Sequence, residues 1–279
     1  MSEFVYSRSY RGKVKAVILD WSGTTADAYV VAPAVVFVEV FRKQGVEISM
    51  AEARGPMGLR KDLHIKALTE VPEIRERWKA VHGRYPGDAD VAAMFADFVP
   101  LQLDCLGKYT RLLPGVAEVT QRLQKAGIRI GSTTGFTRSM VDILEADAAR
   151  QGYRPDASVA GDEVVHGARP GPFMVYKNLD MLGVYPIQSV VKVDDTVSGV
   201  GEALNAGCWG IGVARYSNYM DMDTPDQDKT MPAAEIERRL ERTRDILRKA
   251  GAHYVIDSIT DIEPVIADIN ARLARGERP

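Results

Sequence analysis

Three short strings in this chain place oxygen-rich side chains directly after apolar runs. Asp20-Trp21-Ser22-Gly23-Thr24-Thr25 sets a carboxylate ahead of a glycine turn whose backbone N–H groups can meet an anion. A carboxylate so placed can bind a cation or attack phosphorus as a nucleophile. Ser132-Thr133-Thr134-Gly135 offers hydroxyls and N–H groups suited to phosphoryl oxygens, and Asp194-Asp195-Thr196 offers paired carboxylates. Beside Asp20 that pair makes the kind of oxygen-rich site that Mg²⁺ favours. Each string alone also has an ordinary reading. Asp before Gly and Thr is turn chemistry, Thr137 fits a plain helix cap, and one of Asp194 and Asp195 is expected to cap the next helix. Their coincidence at three strand ends is what favours a site.

The elements that must deliver these strings can be read from periodicity. Residues 14–19 (VKAVIL) read as a buried parallel strand ending at Asp20. Further strands are expected at 128–132, 157–160, 190–193, 209–213 and 253–256. Helical patterns over 116–126, 138–151, 173–182 and 199–206 separate them. Each is closed by a glycine (Gly127, Gly152, Gly183, Gly207) suited to a left-handed cap, and one more helix is expected over 261–273. This alternation predicts an α/β fold, a doubly wound, Rossmann-like parallel sheet. From 32 to 107 no strand pattern occurs. Helices are expected at 34–44, after a Ser49–Glu52 capping box, and at 59–70, 72–82 and 88–106. The predicted organisation is a core of residues 1–31 and 108–279 with an all-helical cap domain of residues 32–107. The cap would lie over the sheet's carboxyl edge, where such sheets bind ligands.

Composition narrows the partners. The 279 residues carry 36 Lys and Arg against 38 Asp and Glu, a net charge of −2. That balance gives no bulk attraction for nucleic acid or an anionic membrane. With 46% apolar and 27% charged residues, disorder is excluded. Cys105 and Cys208 form no metal or redox spacing and are expected to be two buried thiols in a reducing cytoplasm. Residues 1–13 lack the apolar core of a signal peptide, and the apolar stretch 29–41 is broken by Pro33 and Glu39. A soluble cytoplasmic protein is therefore expected. A dinucleotide site is disfavoured, because Leu204 stands where the fingerprint after Gly199 and Gly201 needs its third glycine.

In these strings the chain resembles the haloacid dehalogenase superfamily of phosphotransferases. The resemblance implies an Asp20 nucleophile and Mg²⁺ held by Asp20, the Ser22 backbone carbonyl and Asp195. The superfamily's first motif is Asp-x-Asp-Gly-Thr, in which the second Asp protonates the leaving group. Ser22 stands there instead, so the leaving group should need no proton from that position. The segment from Arg54 to His64 (RGPMGLRKDLH) is similar to the specificity region of the phosphonoacetaldehyde hydrolase family, whose cap lysine forms a Schiff base with its substrate. Lys61 falls on that lysine and His64 on the histidine three residues later. Met57, Lys61 and His64 would share one face of a helix that starts early enough. Arg60 and a charged His64 are candidates for lowering the pKa of Lys61.

This likeness spans nearly the whole chain. It implies hydrolysis of the carbon–phosphorus bond of phosphonoacetaldehyde to acetaldehyde and phosphate, within breakdown of phosphonates such as 2-aminoethylphosphonate. Met57, Thr133, Thr134, Gly135 and Arg169 would bind substrate, with His64 and Met57 assisting proton movements. Arg169 stands in a Gly167-Ala168-Arg169-Pro170 string one residue longer than the family's Gly-Arg-Pro, and Lys177 is the alternative for its role. A homodimer through the cap is also implied. Residues 34–41 (AVVFVEVF) are apolar enough for its interface, although packing inside the chain explains them equally well. The main alternative is a superfamily phosphatase acting on a small phosphate ester, with Lys61 only binding substrate charge. A dehalogenase would need no metal, and the Asp194–Asp195 pair argues against it. A noncatalytic member would be expected to lack Asp20 or Lys61.

Overall fold

A computed structural model describes residues 9–279. The expectation drawn from the N-terminal stretch therefore falls, for residues 1–8, outside the described residues. Six strands form one parallel sheet: β1 (Ala16–Leu19), β2 (Arg129–Thr134), β3 (Ala157–Ala160), β4 (Val190–Asp194), β5 (Trp209–Val213) and β6 (Tyr254–Ile256). Their order is β3-β2-β1-β4-β5-β6. β1, β3, β4 and β5 are buried along their whole length, which is why they read as continuous apolar runs rather than alternating ones. The order reverses at β1, which pairs with β2 on one side and β4 on the other, and a crevice opens there beyond the carboxyl ends. Leu19 is in register with Ser132 and Val193, so Asp20, Thr133 and Asp194 leave the sheet at one level.

Between β1 and β2 the chain is helical: α1 (Val31–Lys43), α2 (Met50–Arg54), α3 (Lys61–Glu70), α4 (Pro72–His82) and α5 (Asp88–Leu106). α1 and α3 both pack on α5. Phe37, Phe41, Ile65, Leu68, Trp78, Met94 and Phe98 fill the space between the helices. Phe37 is central, stacked on His64 with ring centroids 3.7 Å apart and tilted against Phe98 at 4.6 Å. The Ser49–Glu52 capping box forms as expected. Within 34–41, only Val35, Val38 and Glu39 are partly exposed. That stretch is apolar because it fills the insert's own core, and it is no evidence for an interface between chains. α3 starts at Lys61, two residues later than expected, so Met57 lies in the preceding turn and not on a shared helix face.

The remaining helices flank the sheet: α6 (Val116–Lys125), α7 (Arg138–Arg150), α8 (Phe173–Leu182), α9 (Val197–Ala206), α10 (Ala233–Lys249) and α11 (Ile262–Ala274). Sequence reading places no element at α10. Its buried stripe is only Leu240, Thr243 and Leu247, and charged pairs such as Arg238–Glu235 and Arg248–Asp245 cover the rest. The link from β1 to the insert holds three non-glycine residues in the left-handed region: Asp27 (φ 51°), Tyr29 (φ 67°) and Val30 (φ 55°). The Asp27 carboxylate accepts the N–H groups of Val31 and Ala32 at 3.2 Å and so anchors the start of α1. Cys105 and Cys208 are both free, but only Cys208 is fully buried, contrary to the expectation of two buried thiols. No helix among the described residues is long and apolar enough to cross a membrane. Truncating Phe37→Ala should lower unfolding stability by about 3–5 kcal/mol, as loss of a buried aromatic does, and urea denaturation measures it.

Candidate active site

Asp20, Asp194 and Asp195 bring one carboxylate oxygen each to within 4.8 Å of one another, and all three are buried. They use those oxygens differently. Asp194 is fully committed: one oxygen accepts the Thr196 N–H (3.0 Å) and hydroxyl (2.7 Å), the other the Lys192 ammonium (2.7 Å). Burial works against its charge, but Arg169 and Lys192 outweigh that and hold its carboxyl below the ordinary range. Neither aspartate caps the helix that follows, because Thr196 does so by accepting from the Gly199 N–H. Asp195 takes one backbone N–H from Asn218 on Oδ2 (2.9 Å), and its Oδ1 is buried without a partner. Burial, then the charges of Asp194 and Asp20, push its carboxyl well above the ordinary range.

A buried carboxylate oxygen with nothing bound, beside two further carboxylates, fits a divalent cation. The formal charges agree. The buried carboxylates Asp20, Asp194, Asp195 and Glu202 outnumber the two cations paired within the cluster, Arg169 and Lys192. Two glycines make this crowding possible. A Cβ at Gly23 (φ +80°) would lie 2.6 Å from Asp195 Oδ2, and one at Gly199 would overlap the Asp194 carboxylate.

Arg169 joins the cluster together. Its guanidinium, 2% exposed, bonds Asp20 at 2.6 Å and Glu202 at 3.0 Å, and lies 3.2 Å from Asp194. It also donates to the Thr133 carbonyl at 2.8 Å. Lys177, the sequence alternative, is instead bound to the Glu163 carbonyl at 3.0 Å. Burial raises the Asp20 pKa to about 6, with Arg169 pulling it down and Asp194 pushing it up.

The helical insert presents Lys61 from above. It is the first residue of α3, where the positive helix end disfavours a charged amine. Its Nζ lies over the Phe136 ring at 4.6 Å and the Phe37 ring at 5.7 Å. Burial brings its pKa down to about 8; Asp20 opposes that shift and Arg169 adds to it. The expected causes are not the operating ones. Arg60 is bonded to Asp62 at 2.7 Å. Burial, then Lys61, lowers the His64 pKa well below its ordinary value, so His64 is neutral. His64 Nε2 lies 2.9 Å from the Ala53 carbonyl and must donate to it, which leaves Nδ1 as a buried lone pair without a partner.

Between insert and sheet lies a cavity of about 20 Å³. Its walls include Asp20, Ser22, Met57, Lys61, Thr134 and Gly135, with Arg169 beneath. Thr133 is not on that wall, because alternation along β2 turns its hydroxyl to Glu202 at 3.0 Å. Phe136, Lys192 and Glu202 were not anticipated from sequence. A lone lysine inside VVKVD and a lone glutamate inside GVGEALNA are the signals for the last two, since a single charge in a buried apolar run needs a partner.

Several known proteins are similar to this chain over nearly its whole length. The pattern of the haloacid dehalogenase-like hydrolase family matches residues 14–207. A phosphonoacetaldehyde hydrolase of Nitratidesulfovibrio vulgaris is 44% identical over 279 residues, covering 100% of this chain and 99% of its own. One from Paraburkholderia phytofirmans is 45% identical over 266 residues, 95% and 99% of the two chains. The crystal structure of a phosphonoacetaldehyde hydrolase-like protein from Oleispira antarctica superposes with a TM-score of 0.95 at 37% identity, covering 100% of each chain. The unequal use of the two adjacent aspartates sets a test by substitution. Asp195→Asn should weaken Mg²⁺ binding, measured by titration calorimetry, by more than the roughly 10–100-fold typical of losing a supporting partner. Asp194→Asn should instead lower stability in urea by about 3–5 kcal/mol, as expected for a broken buried ion pair.

Proposed function

This chain belongs to the haloacid dehalogenase-like hydrolases and, within them, to the phosphonoacetaldehyde hydrolase family, and from that premise we propose that it cleaves the carbon–phosphorus bond of phosphonoacetaldehyde through a Schiff base on Lys61 and a phosphorylated Asp20. The observation that carries this reading is a buried lysine of lowered pKa facing a buried aspartate across one small cavity. Residues 32–107 act as the cap that brings the lysine to the sheet.

The neutral Lys61 amine attacks the aldehyde carbon, and loss of water gives an iminium. An Asp20 oxygen then attacks phosphorus from the side opposite carbon. The carbon–phosphorus electron pair moves into the iminium and gives an enamine. This leaving group needs no proton as it departs, which accounts for Ser22 where the superfamily carries an acid. Arg169 holds Asp20 in position and lies beneath the phosphoryl oxygens, which the Thr134 hydroxyl and Gly135 N–H also face. Water hydrolyses the aspartyl phosphate to phosphate. The enamine carbon takes a proton, and a second water releases acetaldehyde and the lysine. His64, held neutral with a free Nδ1 lone pair, suits the proton movements around the imine, with Met57 beside them.

Asp20, Asp195 and the Ser22 carbonyl would hold Mg²⁺, which when bound supplies positive charge against the nucleophile and the phosphonate oxygens. The same reading places the protein in cytoplasmic phosphonate breakdown, such as that of 2-aminoethylphosphonate, and makes it a homodimer; light scattering on the eluted protein checks the latter.

Borohydride added with phosphonoacetaldehyde should leave a reduced adduct on Lys61, seen by mass spectrometry. Unimpaired turnover by Lys61→Arg would refute the Schiff base. An amine reacts only when neutral, so the trapping rate should rise with pH through about 8 rather than through the free-lysine value of about 10.4. Asp20→Ala should abolish phosphate release while the borohydride adduct still forms.

A further inference from the structure

The segment after β5 touches three parts of the molecule that have to move relative to one another. Ser217 donates its hydroxyl to the Asp195 carbonyl at 2.8 Å, and the Asn218 backbone N–H reaches Asp195 Oδ2 at 2.9 Å. The Asn218 side-chain amide points the other way and donates to the Arg54 carbonyl at 3.1 Å, at the end of α2 in the cap. Arg54 itself, 4% exposed, extends its guanidinium back to the Tyr29 carbonyl (2.9 Å), the Met222 carbonyl and the Asp223 carboxylate (3.5 Å). Tyr29 belongs to the strained link between sheet and cap, and its N–H bonds the Tyr216 carbonyl at 2.8 Å. One buried asparagine therefore holds a cap carbonyl with its side chain and a cluster carboxylate with its backbone.

Asp20 and Lys61 are only 4% and 5% exposed, so the cap must lift for substrate to reach them. Lifting takes the Arg54 carbonyl away from the Asn218 amide and exchanges a buried hydrogen bond for solvent. Residue 218 then loses one of the two bonds that fix its place, and the hold of its backbone N–H on Asp195 loosens. Closure reverses this: it clamps Oδ2 of Asp195 and leaves Oδ1 as the free ligand oxygen.

From this geometry we infer that Asn218 couples cap closure to the metal carboxylate, so that closing the cap over a phosphonate tightens Mg²⁺ binding and Mg²⁺ in turn favours the closed cap. Asn218 is a positioning residue, acting through Asp195 and Arg54. The inference rests on the Mg²⁺ reading above. Linkage makes the effect reciprocal, with one coupling factor for both ligands.

Calorimetric titration of the full-length protein with Mg²⁺, with and without saturating ethylphosphonate, measures that factor. Ethylphosphonate has the phosphonate and two-carbon chain but no carbonyl for Lys61. Direct contact between metal and phosphonate contributes equally in every variant, so the readout is the difference between variants. Asn218→Ala keeps the backbone N–H on Asp195 and removes only the bond to the cap. It should leave Mg²⁺ affinity without ethylphosphonate little changed and reduce the coupling factor at least about fivefold, the lower end of common allosteric couplings. Asn218→Ser, too short to reach Arg54, should do the same and serves if the alanine variant does not fold. An undiminished coupling factor in a folded variant overturns the inference and leaves the Mg²⁺ reading standing. Failure of the unsubstituted protein to bind Mg²⁺ overturns both.

Discussion

The guanidinium of Arg169 lies among three carboxylates, Asp20, Asp194 and Glu202, each of which it reaches with a different nitrogen or edge. Burying like charges this close is unfavourable unless a cation of matching shape is buried with them. A planar fork with several donors meets that need where the point charge of a lysine would not. Lys192 completes the pairing from within β4. Much of the site follows from this one contact. It holds Asp20 in place and commits Asp194 to the protein. Asp195 is left with a buried oxygen that no protein group meets, and the cluster's carboxylates outnumber the cations paired with them.

The sheet and its order were legible because parallel strands buried on both faces are continuous apolar runs, and because the glycines closing α6 to α9 mark each return. The helical insert was legible for the opposite reason: periodicity near 3.6 recurs through it, and its apolar run at residues 34–38 sits inside a longer helical pattern that stops at Gly45. Asp20, the Asp194–Asp195 pair and Lys61 could be picked out because residue type and position in the chain carry their chemistry. What could not be read is which partner each group finds across the fold. The division of labour between Asp194 and Asp195 depends on Lys192, Thr196 and Asn218, and that of Thr133 and Thr134 on which side of β2 faces Glu202. α10 escaped notice because exposed charge pairs, rather than a broad apolar stripe, cover most of its surface.

Lys61 shows how position alone can lower the pKa of an amine. No neighbouring cation on its own helix acts on it: Arg60 is paired and His64 is neutral. Its amine is instead kept from water by Phe37 and Phe136, at the positive end of α3, in a place that exists only when cap and sheet meet. In the proposed mechanism the reactive amine is therefore made by the meeting of insert and sheet. The strained link through Asp27, Tyr29 and Val30 is held by the packing around it rather than by local preference, which suits a joint between two bodies.

The narrow cavity also bears on the supply of water. At about 20 Å³ it has room for roughly one molecule. The proposed reaction consumes two, one for the acyl phosphate and one for the imine, and releases one when the imine forms. A substrate seated between Lys61 and Asp20 would displace that molecule, so each hydrolysis in the proposed cycle would draw its water from outside, and the narrow space would shield the activated phosphoryl group from stray solvent.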